Sequence, residues 1–344
     1  MKKISKRIFY SSLFTLIGFV CMFLSSCKKE DVVAQLPVIK SLEVTFITST
    51  TGVCGGQIIS DGGASIVQRG MNWSDNIDSL KRGKSLGDYE NYFDSKDTFN
   101  FSMAGLIPGK TYYVRSYVKN SIGVAYSNIN TFTTQSNINE NMIFNPNLTY
   151  GSVSDIDGNI YKTITIGTQT WMAENLRTKH YRNGIEISRY RINKYDSIYS
   201  KSYGLFYNSQ TKGSIDFAPK GWHVPSTDDW NILIKYLIEN SYNYDLTLSG
   251  NKVAKSLAAR TEWAYDQAIG NVGNNILANN KSGFSALPCG SNYENWGLTS
   301  FGYNALWWTN DSRFCFIMAY NVGSISQIVD GSDKYFYNVR CIKD

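Results

Sequence analysis

Short runs of alternating apolar and polar residues, separated by turns rich in Gly, Asp and Asn, extend from residue 37 to residue 134. Such alternation places every second side chain on one face of a β-strand, as in "TYYVRSYVK" at residues 111–119. Asp61-Gly62-Gly63 and Pro108-Gly109 are turn signals between these runs. Many short strands with frequent turns are typical of an antiparallel β-sandwich, so residues 37–134 are predicted to form one.

A second domain is predicted for residues 148–344, because 344 residues exceed the size of one ordinary small domain. The Asn-rich residues 135–147, "QSNINENMIFNPN", have no sustained period and are predicted to be the linker. A hairpin is expected early in this domain, where Asp157-Gly158 is a two-residue turn signal. An EF-hand starting at Asp155 is not expected, because Ile160 and Ile166 stand where that loop needs Gly and Glu.

One amphipathic helix is predicted within "GWHVPSTDDWNILIKYL". Ser226 can cap it, and Asp228 and Asp229 favour its N-terminus. Its apolar residues recur at i, i+3, i+4 and i+7: Trp230, Leu233, Ile234 and Leu237. A shorter helix is predicted within residues 251–260, and the remainder is predicted to be strands and long loops.

The first 26 residues have the pattern of an export signal. Four basic residues precede an apolar run from Ile8 to Leu24, which is short for a membrane span of about 20 residues. The run ends at Leu24-Ser25-Ser26-Cys27, which resembles the lipobox of bacterial lipoproteins. This resemblance implies acylation of Cys27, which would hold the protein on a membrane, with residues 27–36 as a tether. A plain signal peptide or a single membrane helix is the alternative.

The basic character of the chain comes mostly from this signal. Residues 1–26 hold four of the 34 basic and none of the 28 acidic residues, which leaves a net charge of +2. The charge therefore gives no reason to expect a nucleic-acid partner. Lys28-Lys29-Glu30-Asp31 resembles the signal that sends lipoproteins of the Bacteroidota to the outer face of the outer membrane, although a charged tether explains it equally well.

Six cysteines are present, of which Cys21 belongs to the signal and Cys27 to the lipobox. The others are Cys54, Cys289, Cys315 and Cys341. Disulfides can persist in an exported protein, and four cysteines allow three full pairings. No Cys-x-x-Cys pair occurs, so a zinc or redox motif is not expected.

Two family resemblances follow from longer stretches of sequence. "GGQIISDGGASIVQRGMNW" and "GLIPGKTYYVRSYVKNSIGVAYSNINTFTT" resemble fibronectin type III-like modules of exported bacterial proteins, which are usually spacers. "DIDGNIYKTITIGTQTWMAENLRTKHY", "PKGWHVPSTDDW", "SGFSALPCG", "WWTND" and "YNVRCIKD" resemble, in this order, the Fibrobacter succinogenes major paralogous domain. That family has no established enzymatic activity.

The second domain is also similar to the C-type lectin fold and to sulfatase-modifying enzymes, through "GWHVP", "WW" and the terminal "VRCIKD". This similarity implies an α+β, C-type lectin-like domain with a small twisted sheet, two helices and a face rich in loops. Members of the paralogous family often carry Cys before the Pro of "PKGWHVP", where it could pair with the terminal cysteine. Here that residue is Ala218, so Cys341 is either free or paired with Cys289 or Cys315.

The sequence does not predict an enzyme. Gly83-Lys84-Ser85-Leu86-Gly87 fits a nucleophile elbow, but it lies in a polar loop, and both histidines, His180 and His223, belong to the other domain. Neither histidine has a second ligand at metal-binding spacing. Cys289 and Cys315 are the residues that a sulfatase-modifying activity would have to use, but no motif assigns them that role.

Trp308-Thr309-Asn310-Asp311 resembles the Trp-Asn-Asp calcium-binding segment of C-type lectins. Adjacent Asn and Asp oxygens suit a hard cation, so Asn310 and Asp311 are weak calcium candidates. The segment has one extra residue, and no Glu-Pro-Asn or Gln-Pro-Asp partner loop accompanies it. A turn or strand end is the favoured interpretation.

The predicted ligand-binding face combines aromatic and amide side chains, which offer large contact areas at low entropic cost. Its members are Tyr293, Trp296, Tyr303, Trp308, Asn310 and Asp311. At least one of Trp307 and Trp308 is expected to be buried, because neighbouring residues of a strand face opposite sides.

The sequence therefore predicts a lipoprotein of the outer membrane, exposed on the cell surface, that binds a glycan or a protein without catalysis. A structural component of the envelope and an enzyme are the alternatives.

Overall fold

The computed structural model describes residues 33–92, 97–192, 201–295, 297–311, 313–330 and 332–344. The predicted signal peptide, Cys27, the first part of the tether and Trp296 lie outside these ranges. Within them, no helix combines the length and the apolar character that a membrane span requires.

Residues 38–133 form two antiparallel sheets, one of strand order β1-β2-β5 and one of order β4-β3-β6-β7, in which β8 also pairs with β6. The elements are β1 (Val38–Ser41), β2 (Gly52–Ser60), β3 (Gln68–Ser74), α1 (Ile77–Lys81), β4 (Gly87–Tyr92), β5 (Thr98–Met103), β6 (Thr111–Lys119), β7 (Val124–Tyr126) and β8 (Asn130–Thr133). Cys54, Met71, Met103 and Val114 are fully buried in its core. The predicted β-sandwich is confirmed.

Strand β6 shows why this sequence forms a sandwich. Tyr112, Val114 and Val118 lie on the core face and Lys119 is exposed, as the alternation predicts. The backbone N–H of Ile107 donates to the Tyr112 hydroxyl at 2.9 Å. A tyrosine hydroxyl bound to backbone a few residues upstream also fixes the corner of immunoglobulin-like sandwiches.

The described residues from 134 onward form three further sheets, of strand orders β14-β21-β11-β10-β9, β12-β13-β20-β15-β16 and β17-β18-β19. Their strands are β9 (Gly151–Ser154), β10 (Ile160–Ile166), β11 (Gln169–Met172), β12 (Tyr190–Arg191), β13 (Phe206–Asn208), β14 (Trp222–His223), β15 (Ser291–Tyr293), β16 (Gly297–Thr299), β17 (Asn304–Trp308), β18 (Phe314–Ala319), β19 (Ile325–Val329), β20 (Tyr335–Tyr337) and β21 (Ile342–Lys343). The helices with described bounds include α2 (Glu140–Ile143), α3 (Thr227–Glu239) and α4 (Ala254–Leu257), and two 3-10 helices span Thr211–Gly213 and Ile276–Ala278.

Two local predictions in this domain are confirmed. Strands β9 and β10 form an antiparallel hairpin whose turn contains Gly158, at a φ of 77°. At the start of α3 the backbone N–H of Asp229 donates to Ser226 Oγ at 3.1 Å, and the Ser226 N–H donates to the Asp229 carboxylate at 2.8 Å. This reciprocal pair is a capping box.

The predicted α+β, lectin-like architecture is not supported, because the fold is predominantly β and sandwich-like. Among α1 to α4, only α3 is longer than five residues. The helix predicted within residues 251–260 is reduced to α4, since the chain then pairs with another segment. Ala259 N–H donates to the carbonyl of Ala286 at 2.8 Å, and Ala258 and Ala286 form a parallel bridge.

Residues 135–147, predicted to be a linker, pack against the C-terminal domain. They contain α2, and Ile138 and Ile143 are 8% and 4% exposed. Both contribute to a cluster with Tyr203, Leu287 and other buried residues of that domain.

The sandwich contacts the C-terminal domain around one buried carboxylate, that of Glu262, whose residue is 0% exposed. It accepts hydrogen bonds from the hydroxyls of Thr48 at 3.0 Å, Ser49 at 3.0 Å and Thr50 at 2.5 Å. The backbone N–H of Thr50 adds a bond of 3.1 Å. A buried carboxylate is tolerated when several donors bind it, so these bonds help to fix how the two domains dock.

Candidate functional site

Trp308, predicted to contact a ligand, lies in the core instead. It is 0% exposed, its indole N–H donates to the carbonyl of Tyr207 at 2.7 Å, and its ring centroid is 4.5 Å from that of Tyr337. Trp307 is equally buried and packs on the opposite face of β17, near Trp230. Both tryptophans are buried because both faces of this strand are covered. The prediction for Trp308 is therefore wrong.

The other predicted aromatic residues are not gathered with it. The half-buried Tyr293 packs edge-on against Tyr335 with ring centroids 4.8 Å apart. Tyr303, also half-buried, lies 5.2 Å from the ring of Tyr320 and donates its hydroxyl to the carbonyl of Ser102 in the sandwich. Trp296 lies outside the described residues. Tyr303 therefore helps to hold the domains together.

Asp311, which the sequence offers as a calcium ligand, binds the first turn of α3 instead. Its carboxylate accepts the backbone N–H of Thr227 at 2.9 Å and the Thr227 hydroxyl at 2.6 Å, at the N-terminus of α3. These bonds hold the pKa of the Asp311 carboxyl below its ordinary value. The side chain of Asn310 is exposed, while its backbone N–H binds the carbonyl of Pro225 at 2.8 Å.

A lysine supplies the cation of this loop. Lys212 is 3% exposed, and its ammonium donates to the carbonyls of Thr309 and Asp311 while lying 4.7 Å from the ring centroid of Trp308. Burial lowers the pKa of Lys212 to about 8, so it is still mainly charged at neutral pH. In the described ranges, no three His, Cys, Asp or Glu side chains are grouped so that they could hold a metal ion.

The histidines bind carboxylates that shape turns and caps. His180 Nδ1 lies 2.5 Å from Asp157 Oδ1, beside the β9–β10 turn. His223 lies 2.7 Å from Asp344 and 3.4 Å from Asp229, the residue of the capping box. Both rings therefore connect distant segments of the backbone.

The four cysteines of the described residues are free and buried. Burial raises the pKa of the Cys289 and Cys315 thiols to about 12 each, and that of Cys341 above its ordinary value. The pairings considered for Cys341 are thus not formed. Because the thiolate is the reactive form, these thiols are poor nucleophiles.

We expect the thiols of the chain from residue 28 onward to react with Ellman's reagent only after unfolding. In the time that a free thiol reacts fully, the native protein should release less than about one equivalent of thionitrobenzoate. The denatured protein should release four equivalents, one for each cysteine. Cys54→Ala should lower the number of reactive thiols in the denatured protein to three. Fewer than four reactive thiols in denaturant without a reductant would reveal a disulfide and contradict the structure.

A cleft of about 220 Å³ opens in the C-terminal domain beside α2 and β10. Its buried end is formed by Ala173, Ser285, Leu287 and Arg340, and its exposed rim by Glu140, Ile160 and Lys201. Ile143, Phe144, Lys162, Glu174, Arg177 and Ser202 complete the lining. A concave site with a few converging polar groups is the usual form of a ligand site.

The lining carries more cations than anions. Arg177 pairs with Glu174 at 3.3 Å, and Lys201 with Glu140 at 3.8 Å. Lys162 adds a third cation, whose ammonium lies 4.5 Å from the ring centroid of Phe144. With Arg340, four cations face two carboxylates. The cleft therefore favours a ligand that carries negative charge.

Arg340 is the buried cation of this cleft, at 1% exposure. Its Nε donates to Asn175 Oδ1 at 3.1 Å, its Nη1 donates to the carbonyl of Phe284, and its guanidinium carbon lies 4.4 Å from the centroid of the Phe284 ring. Burial lowers the pKa of Arg340 to about 10, which leaves it charged at neutral pH. The sequence does not predict this role, because nothing in "YNVRCIKD" indicates that Arg340 lines a cleft.

Comparisons with solved structures concern about a third of the chain. The sensor domain of the anti-sigma factor RsgI4 from Pseudobacteroides cellulosolvens is 16% identical over 30% of this chain and 99% of its own, with a TM-score of 0.24. The sixth fibronectin type III domain of human fibronectin type III domain containing protein 3 is 18% identical over 31% and 93%, with a TM-score of 0.25. No curated protein matches the chain.

The sequence profile of the Fibrobacter succinogenes major domain matches residues 164–343, which is more than half of the chain. The match runs from β10 through the capped helix α3 and the two tryptophans of β17 to β21. It includes Arg340 and most of the residues that line the cleft. This chain belongs to the Fibrobacter succinogenes major domain family.

Proposed function

We propose that this protein is a lipoprotein of the outer membrane, anchored through Cys27, that recognises a glycan or a protein at the cell surface. The β-sandwich serves as a spacer, and the C-terminal domain binds the ligand without changing it covalently. The observation that carries this proposal is the cleft with its buried end at Arg340 and its cationic rim.

The side chains that bear chemistry favour binding over catalysis. Cys289 and Cys315, which an enzyme of the sulfatase-modifying type would use, are buried and protonated at neutral pH. In the cleft, Glu174 accepts hydrogen bonds from Arg177 and from the backbone N–H of Lys162, so it serves an ion pair and a strand. A carboxylate that is engaged in these bonds can orient a ligand, but it is not available as the free base that proton transfer requires.

An array of polysaccharides, glycoproteins and envelope proteins tests the proposal, probed with the chain from residue 28 onward with calcium and again with a chelator. We expect binding to at least one class of ligand that survives the chelator, because Lys212 already provides the cation of the Thr309–Asp311 loop. Binding that disappears with the chelator would support Asn310 and Asp311 as calcium ligands. Silence in both arms would refute recognition and favour a structural role.

A further inference from the structure

We propose that the cleft binds the carboxylate of an acidic sugar, a uronic acid unit of a polysaccharide, and that Arg340 is the partner of this carboxylate. This inference rests on the proposed function and names the class of its ligand. It is carried by the way Arg340 is buried, by the charges around it and by the size of the cleft.

Arg340 is a buried cation that no carboxylate of the described residues contacts, and Glu174 favours its charged form only from a distance. Within the described part of the chain it forms no ion pair, and its acceptors are neutral, Asn175 Oδ1 and the carbonyl of Phe284. No described residue accepts a hydrogen bond from its Nη2. Burying a charge is costly unless it is paired, and a guanidinium has a geometry that suits a carboxylate. A ligand carboxylate supplies the missing partner.

The side chains between Arg340 and solvent strengthen this preference. Lys162 and Lys201 are exposed, and Arg177 is half-buried in the same lining. The two carboxylates of the lining, Glu140 and Glu174, are each held by one of these cations. An incoming anion therefore meets a net positive potential along its path to Arg340.

The dimensions and the remaining groups fit a sugar ring. A volume of about 220 Å³ lies below the range of about 300–1,000 Å³ that is usual for drug-sized ligands, so the cleft accommodates a small unit. Ser202, half-buried in the lining, makes no hydrogen bond to a described residue and can bind a sugar hydroxyl. The half-buried Phe144, whose ring also lies 4.5 Å from the Lys162 ammonium, adds apolar surface to the lining. A uronic acid ring brings a carboxylate, hydroxyls and an apolar face together.

Titration calorimetry with oligomers of galacturonate, glucuronate and mannuronate tests the inference, each compared with its methyl ester. Esterification removes the charge and leaves the rest of the ligand and the protein unchanged. We expect at least one uronate to bind and its ester to bind at least about tenfold more weakly, because a charge-assisted hydrogen bond is lost. Equal binding of uronate and ester would overturn the inference.

Two protein variants locate the binding. Lys201→Ala should weaken uronate binding by about threefold and reduce its salt dependence. Lys235→Ala is the matched control, because Lys235 is 75% exposed and 3.9 Å from Glu239, while Lys201 is 76% exposed and 3.8 Å from Glu140. Lys235→Ala should leave the affinity unchanged. Equal losses in both variants would overturn the assignment to this cleft.

Arg340→Lys keeps a positive charge and removes the guanidinium, that is Nη2 together with the Nε and Nη1 donors to Asn175 and Phe284. We expect at least about a tenfold loss of uronate affinity. If this variant does not fold, the ester and Lys201 comparisons still decide. Binding of a neutral glycan or of a protein, with no uronate bound, would overturn this inference and leave the proposed function standing. Binding of no ligand at all would overturn both.

Discussion

Replacing Glu262 with alanine is expected to separate the β-sandwich from the C-terminal domain. The substitution removes the acceptor of the Thr48, Ser49 and Thr50 hydroxyls and of the Thr50 N–H, and leaves these donors buried without it. Because an unpaired buried donor costs about 1–3 kcal/mol, we expect docking to weaken by at least about 3 kcal/mol. Residue 262 has a left-handed backbone, at a φ of 68°, which costs alanine about as much as it costs glutamate. The change in stability therefore reflects the loss of the carboxylate.

Differential scanning calorimetry and limited proteolysis measure this effect. The native protein should unfold in one transition, and Glu262→Ala in two, with faster cleavage within residues 135–147. Glu239→Ala is the control, since that carboxylate is 57% exposed on α3 and pairs with Lys235 of the same helix at 3.9 Å. A single unshifted transition in Glu262→Ala would show that the domains do not depend on this carboxylate.

Replacing Trp230 with alanine is expected to destabilise the C-terminal domain by about 3–5 kcal/mol, the usual cost of removing a large buried aromatic side chain. Trp230 is fully buried, and its ring centroid lies 4.9 Å from those of Trp171 and Phe316. The rings of Phe284 and Trp307 are 5.6 and 5.7 Å away. The vacated volume cannot be refilled without moving all four neighbours.

Urea unfolding followed by circular dichroism measures this loss. Trp230→Phe should lower the free energy of unfolding much less than Trp230→Ala does. Phenylalanine keeps most of the aromatic ring and removes an indole N–H that has no hydrogen-bond partner among the described residues. Ile232→Ala controls for position, since Ile232 is 49% exposed on the same helix. Equal, small losses in the alanine variants of Trp230 and Ile232 would contradict the packing described.

The features that could be predicted from the sequence depend on neighbours along the chain. Strand β6 follows from alternation, the β9–β10 hairpin from Asp157-Gly158, and the start of α3 from Ser226 and Asp229. Each needs only a few adjacent residues, so a single sequence contains the necessary information.

The candidate site depends on distant contacts, which explains why it was missed. Lys212 reaches a carbonyl 97 residues away, and Arg340 reaches one 56 residues away. The sequence places Trp308 at the surface because alternation reveals the two faces of a strand, but not whether a further layer covers both of them. Burial of both tryptophans becomes visible only once the sheets are assembled.

We propose that the C-terminal domain, through the cleft at Arg340, is the part of this protein that recognises a ligand. Hydrogen–deuterium exchange of the two-domain protein, free and saturated with the ligand that binds most tightly on the array, tests it directly. We expect slower exchange in the segments that line the cleft, around Lys162, Glu174–Arg177 and Ser285–Leu287, and no change in β1–β8. Protection confined to the β-sandwich, with the cleft unchanged, would contradict it.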